Sequence, residues 1–130
     1  MKTLLSLLEF KNYRNNLSGT IGFIPTMGAL HDGHLSLINK SNQHCDHTIV
    51  SIFINPTQFS QREDLSTYPK TLDDDLKLLK NLHVDALFLP TNDIMYPTGY
   101  STFVKENIIS RALEGKSRPK FLAGVSTVVV

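Results

Sequence analysis

The chain has 130 residues, with 13 Lys plus Arg against 12 Asp plus Glu and 41% hydrophobic residues. That composition suits one globular core and excludes a disordered segment, while the charge balance makes no case for nucleic acid or a membrane surface as main partner. The single cysteine, Cys45, excludes an internal disulfide framework and any multi-cysteine zinc or iron–sulfur site, and fits a reducing cytoplasm.

The first eight residues resemble a secretory signal only superficially. Glu9 and Lys11 interrupt the apolar run before any small-residue cleavage site. Leu4, Leu5, Leu8 and Tyr13 instead read as one face of an amphipathic helix. Asn16-Leu17-Ser18 has the glycosylation pattern, which has no meaning in the cytoplasm. No stretch reaches the roughly 18 apolar residues of a membrane span.

Residues 15–19 are turn chemistry, and residues 20–24 read as a strand closed by Pro25. Residues 35–43 read as a helix that buries Leu35, Leu37 and Ile38. Residues 48–54 are nearly all apolar or β-branched, as in a strand covered on both faces, and Asn55-Pro56 ends them. Residues 71–83 read as a helix with Thr71 and Asp74 as a capping box and a stripe of Leu72, Leu76, Leu79 and Leu82. Asp73, Asp74 and Asp75 lie at the positive end of its dipole. Residues 85–89 form a third strand, stopped by Pro90. Helix and strand alternate, which predicts an α/β fold with a parallel sheet. β propensity makes a strand of residues 124–130, and the unrelieved valine ending reads as a truncated chain.

Residues 25–34, Pro-Thr-Met-Gly-Ala-Leu-His-Asp-Gly-His, join the first strand to the next helix. Gly28 and Gly33 have the spacing of a phosphate-binding P-loop, but His34-Leu35 stands where Lys-Ser/Thr is required, so that reading fails. What remains is His31-Asp32-Gly33-His34 at a helix start. The helix N-terminus offers unpaired N–H groups and positive potential to phosphates. Two histidines three residues apart can face one ligand, and a neutral imidazole can donate a hydrogen bond to phosphoryl oxygens. The blander alternative is that both histidines cap the helix and pack.

A metal reading fares worse. His31, His34, His44, Cys45 and His47 cluster in sequence, yet one helix separates His34 from His44 by about 15 Å at 1.5 Å per residue. Asp73-Asp74-Asp75 lacks the glycine and spacing of a calcium loop, and helix-dipole duty accounts for it. No protein-held metal is expected. Asn55 and Gln58 follow the carboxyl end of the second strand, where open α/β sheets bind ligands. They are candidate substrate contacts, the alternative being a polar turn. Tyr68-Pro69, Tyr96-Pro97 and residues 114–119 read locally as turns.

Residues 25–34 resemble the signature of the pantothenate synthetase (pantoate–β-alanine ligase) family. The match continues through residues 50–59, which end Asn-Pro-Thr-Gln-Phe, then Glu63-Asp64-Leu65, residues 68–72, Met95-Tyr96-Pro97 and residues 113–119. The H-x-G-H core alone is shared with other nucleotidyltransferases; the longer string is more specific. The resemblance implies a Rossmann-like parallel sheet with flanking helices, the HxGH nucleotidyltransferase fold. It implies ATP-dependent condensation of pantoate with β-alanine to pantothenate through pantoyl adenylate, releasing AMP and pyrophosphate, with Mg²⁺ accompanying ATP. By the same resemblance, Met27, Gly28, Ala29, Leu30, His31, Asp32, Gly33 and His34 bind ATP, and His34 is the proton donor. Gln58 contacts both pantoate and β-alanine, and the enzyme is a homodimer; Asn55 remains a candidate contact from its position alone.

Two departures stand out. Family chains are about twice this long, and their later phosphate-contacting segments are absent from the sequence, so residues 1–130 read as an incomplete N-terminal nucleotide-binding domain without its C-terminal domain. After Arg118-Pro119 the family usually has His-Phe, where this chain has Lys120-Phe121-Leu122. The family also begins a helix near Gly124, and that expectation is preferred to the strand. Two alternatives stand beside the ligase reading: another HxGH adenylyltransferase, which has no use for residues 55–59, and a non-catalytic nucleotide-binding fragment.

Overall fold

The computed structural model describes residues 1–59, 65–67 and 71–130. Glu63-Asp64 and Tyr68-Pro69-Lys70, part of the family resemblance, lie outside the described residues. The chain divides into two compact units, Met1–Ile54 with Pro69–Ile94, and Asn55–Tyr68 with Met95–Val130.

The first unit is a four-stranded parallel sheet with helices in its crossovers. Its elements are β1 (Lys2–Leu4), α1 (Leu7–Asn15), β2 (Ile21–Thr26), α2 (Asp32–His44), β3 (His47–Ile52), α3 (Leu72–Lys80) and β4 (Ala86–Phe88). The sheet order is β1-β4-β3-β2, with every pair parallel. β3 is central, and five of its six residues are buried, which is why its sequence lacks alternation. Ile24, Ile38, Val50, Ile52, Leu79, Val84 and Leu87 form the core between sheet and helices. Among the described residues no helix is long and apolar enough to cross a membrane.

Several local expectations are corrected. The apolar start is not one helical face. Leu4 is 1% exposed in β1, opposite Phe88, whereas Leu5 and Leu8 are 60% and 69% exposed. The helix starts later because Ser6 and Glu9 form a reciprocal cap: Glu9 N donates to Ser6 Oγ (3.2 Å) and Ser6 N to Glu9 Oε2 (3.1 Å). Pro25 does not close β2 but lies within it, tolerated because among the described residues β2 pairs with β3 alone, at the edge of the sheet. Leu37 is exposed, and Ile38 carries the α2 contact. Leu72 is likewise exposed, so the α3 stripe rests on Leu79 with Leu76 packed beside it.

The expected Thr71–Asp74 box does not form. Thr71 is the N-cap of α3 but makes no side-chain cap bond, and Asp74 approaches Lys77 at 3.5 Å. The hydroxyl of Thr71 is engaged elsewhere, as described below.

The second unit holds short elements: a 3₁₀ turn at Pro56–Gln58, a one-turn helix at Glu114–Ser117, and a nine-residue helix, here αC, at Phe121–Val129. The stretch 114–117 is therefore helical and not a plain turn. Residues 124–129 are helical, as the resemblance implied and β propensity did not.

Gly22 of β2 shows how tightly α2 rests on the sheet. A methyl there would run into Ser41 Oγ and come within 2.7 Å of Ser41 Cβ, while Ser41 shares a 2.7 Å hydrogen bond with Thr48. Gly22→Ala is expected to destabilise the protein by about 1–3 kcal/mol, the usual cost of overpacking. Urea denaturation checks this, and adding Ser41→Gly to Gly22→Ala should recover part of the loss.

Candidate functional site

β2 ends at Thr26, and the next five residues bring the chain to α2. Gly28 and Ala29 both take left-handed backbone conformations, with φ of 79° and 51°. For Gly28 a side chain would also be crowded, since a Cβ would stand 3.0 Å from Asp75 Oδ2. For Ala29 that conformation is strained and needs external support. Asp75 of α3 supplies it. Its carboxylate is 2% exposed and accepts Ala29 N at 2.9 Å through Oδ2 and Leu30 N at 2.8 Å through Oδ1. Thr71 Oγ1 donates to Asp75 Oδ2 (3.1 Å) and accepts Ala29 N (3.2 Å). Thr26 Oγ1 accepts Gly28 N at 3.1 Å and donates to Ser51 O at 2.9 Å, anchoring the loop to β3.

The two histidines build the N-terminus of α2. His31 is the N-cap, and its Nδ1 accepts Gly33 N at 3.1 Å; His34 Nδ1 reaches back to accept His31 N at 3.3 Å. This is a capping box made of imidazoles where Ser and Glu are usual. The capping alternative weighed from sequence is therefore realised, and it has a chemical consequence. A ring nitrogen that accepts carries no proton, so each neutral ring holds its proton on Nε2 and offers that N–H as donor. The ring centroids lie 4.1 Å apart at 41°. Burial, and after it the neighbouring His31, lowers the His34 pKa below its ordinary 6.5, with the Asp75 charge opposing them. His34 is thus held as a neutral donor.

A cavity of about 380 Å³ adjoins this loop, lined among others by Met27, Gly28, Phe53, Thr71, Asp75 and Asn92. Met27 and Gly28 follow β2, Phe53 follows β3 and Asn92 comes after β4, where parallel α/β sheets bind ligands, while Thr71 and Asp75 come from α3 and its cap. Among the described residues no three His, Cys, Asp or Glu side chains stand together to hold a metal ion.

Asn55 and Gln58 belong to the second unit. Asn55 is 0% exposed. Its Oδ1 accepts Thr57 N (3.1 Å), Thr57 Oγ1 (2.8 Å) and Tyr96 OH (2.8 Å), and its Nδ2 donates to Gln58 Oε1 (3.0 Å) and Gly124 O (3.1 Å). Such a residue has no surface to offer a substrate in this structure; it orients Gln58 by holding its amide oxygen, which leaves the NH₂ as the donating end of that amide. Arg118 Nη2 donates to Gln58 O at 2.9 Å, and the guanidinium lies 4.0 Å from the Phe121 ring centroid. Thr57, Gln58, Phe59, Tyr96, Arg118 and Phe121 help to line a cavity of about 720 Å³. Gly124 permits αC to lie against the 56–58 turn, since a Cβ there would come 2.8 Å from Thr57 O.

Asp75, Tyr96, Arg118 and Gly124 were not expected at a site. For Asp75 a signal existed: it precedes Leu79 by four residues, so an acid sits on the buried face of α3. Tyr96 and Arg118 lie 41 and 60 residues from their partners, and nothing local marks them.

Comparison with known proteins agrees with the motif. A family model described as pantoate–β-alanine ligase matches residues 1–130. Pantoate–β-alanine ligase from Dictyostelium discoideum is 55% identical over 84% of this chain and 37% of its own length. Pantothenate synthetase from Acetivibrio thermocellus is 47% identical over 99% of this chain and 46% of its own. A crystal structure of pantoate–β-alanine ligase from Francisella tularensis, complexed with beta-gamma ATP and β-alanine, superposes with a TM-score of 0.91 at 45% identity, covering 99% of this chain and 51% of that one. The chain thus spans about half or less of the length of these relatives.

The His34 reading is checked by NMR titration. The His34 ring should titrate with a midpoint below 6.5, and His31→Gln should move that midpoint upward by removing the neighbouring charge. Because the folded pKa is the lower one, the unfolded chain takes up the proton first. His34 therefore contributes fully to stability above pH 6.5, and that contribution is lost as the pH falls toward the folded midpoint.

Proposed function

The chain belongs to the pantoate–β-alanine ligase family, and we propose that it carries the ATP-binding machinery for condensing pantoate with β-alanine to pantothenate. In the first step a pantoate carboxylate oxygen attacks the α-phosphorus of ATP, and the bond to pyrophosphate breaks. In the second, the β-alanine amine attacks the acyl carbon of pantoyl adenylate, loses a proton, and AMP departs. Mg²⁺ enters with ATP as part of the substrate and neutralises phosphate charge.

The observation that carries this reading is the imidazole capping box at the start of α2, which leaves two Nε2–H donors on rings 4.1 Å apart in the family's H-x-G-H motif. Residues 27–34 bind ATP in this reading. His34 donates to phosphoryl oxygen as charge develops, a role for which a neutral, prepositioned ring needs no reorganisation. Adenylation asks the protein for positioning and charge stabilisation more than for a nucleophile. Gln58, its amide oxygen held by Asn55, presents its NH₂ to pantoate and then to β-alanine. The same reading makes the protein a cytoplasmic homodimer: its family supports the dimer and the lone cysteine supports the compartment.

Pantoate-dependent exchange of pyrophosphate into ATP by the purified protein tests the assignment, and its absence from the complete enzyme would remove it. His34→Ala should lower that exchange about 10²–10³-fold, the usual cost of one preorganised donor. It should also lose a capping bond worth about 0.5–2 kcal/mol. His34→Asn keeps an acceptor for His31 N and should restore the stability but not the rate.

Gln58→Leu should raise the KM for pantoate and for β-alanine, by about 5- to 150-fold for an unpaired buried partner, while changing the ATP constant much less. A selective rise in the ATP constant would place Gln58 on the nucleotide.

A further inference from the structure

Successive backbone N–H groups in a turn can converge into a concave anion site, and such nests at strand–helix junctions ordinarily receive phosphate. Here the left-handed Gly28 and Ala29 turn the chain, and the successive amides of Ala29 and Leu30 converge on one point, the Asp75 carboxylate. Its amides are already taken: Gly28 N by Thr26 Oγ1, Ala29 N by Asp75 and Thr71, and Leu30 N by Asp75. A phosphate brought to the Ala29 and Leu30 amides would have to displace a carboxylate that is 2% exposed and meet its charge.

We propose that Asp75 is the positioning residue of the nucleotide loop: its buried carboxylate fills the 28–30 nest as an internal anion and sets the direction in which the chain enters His31 and α2. Phosphate is thereby left to the histidine rings and the α2 N-terminus. The catalytic consequence rests on the ATP-binding reading above. Asp75 touches no reacting atom and acts through the loop. Two observations support the assignment independently of each other. Ala29 holds a left-handed conformation that a non-glycine residue keeps only where its surroundings over-determine it. The helix that supplies Asp75 also supplies Thr71, whose hydroxyl bonds both the carboxylate and Ala29 N. The carboxylate charge also bears on His34, where it opposes the downward pull of burial.

Asp75→Asn tests this in the purified protein. Asparagine keeps the shape but turns an NH₂ toward one of the two amides, donor against donor. The Ala29 and Leu30 amides should exchange with solvent as slowly as those of β3 in the parent and lose that protection in the variant. The His34 titration midpoint should fall further, since the charge that opposes burial is gone. The ATP KM should rise, on the order of 10²-fold for a misplaced site, with the pantoate KM unchanged. A variant with lowered melting temperature but parental loop exchange, His34 midpoint and ATP KM would reduce Asp75 to a structural role and overturn the proposal. If Asp75→Asn does not fold, Thr71→Val, which removes one acceptor for Ala29 N but keeps the Asp75 charge, should give the same loss of loop protection and rise in ATP KM several-fold weaker with the His34 midpoint unmoved, and parental loop exchange and ATP KM in it would overturn the proposal. Freely exchanging Ala29 and Leu30 amides in the parent would overturn it outright. A parent that binds no ATP while these amides are protected and His34 responds to Asp75→Asn would remove the ATP reading and leave the positioning role standing.

Discussion

The carboxylate of Asp75 ties together two stretches of chain 45 residues apart, from α3 to the loop before α2. A buried carboxylate is costly unless its lone pairs are used, and here two backbone amides and a hydroxyl use them. The same contacts hold Ala29 in a conformation it would not keep alone. The loop in turn sets where α2 begins, and so where His31 and His34 fall. Much of the first unit's chemistry descends from that one acid. The core beneath it, Ile24, Ile38, Val50, Ile52, Leu79 and neighbours, supplies the rigidity that lets a short-range bond act as a fixed point.

The histidines show that capping and chemistry need not compete. A histidine that caps through Nδ1 is locked into one tautomer, and the locked tautomer is the one that donates from Nε2. Burial then keeps His34 neutral where a solvent-exposed ring would begin to charge. The cap is the device that prepares the donor, and Gly33 between the rings leaves room for it: a Cβ there would stand 3.0 Å from His31 Nδ1.

The second unit solves a similar problem with a neutral group. Asn55 has no exposed surface, and both ends of its amide are engaged, so its orientation cannot invert without breaking bonds to Tyr96, Thr57, Gln58 and Gly124. Arg118 donates to the Gln58 main-chain carbonyl. Gln58 is thus fixed at main chain and side chain alike, although it sits in a three-residue 3₁₀ turn.

Much was legible in the sequence where the signal is local. The unbroken apolar run of β3 declares a strand buried on both faces, and the alternation of helix and strand declares a parallel sheet. The H-x-G-H string at a strand–helix junction and the Asn-Pro-Thr-Gln-Phe string after β3 identify the family, because neighbouring residues carry them. Local rules failed where two of them compete. Leu4, Leu5 and Leu8 fit helical spacing, yet the Ser6–Glu9 cap starts the helix only after Leu4 has entered β1; Pro25 reads as a stop only until β2 is known to be an edge. Other facts no local reading reaches. Asp75 looks like one of three dipole acids, Asn55 like a turn residue open to substrate, and Gly124 like part of a strand. Their partners lie 45, 41 and 69 residues away, at Leu30, Tyr96 and Gly124 respectively for the first, second and again the second of these residues. The sequence by itself determines which groups a chain owns and which local conformations they favour. Only tertiary structure decides which buried donor meets which buried acceptor, because a desolvated polar group is satisfied by whatever the fold brings within about 3 Å, however distant in the chain.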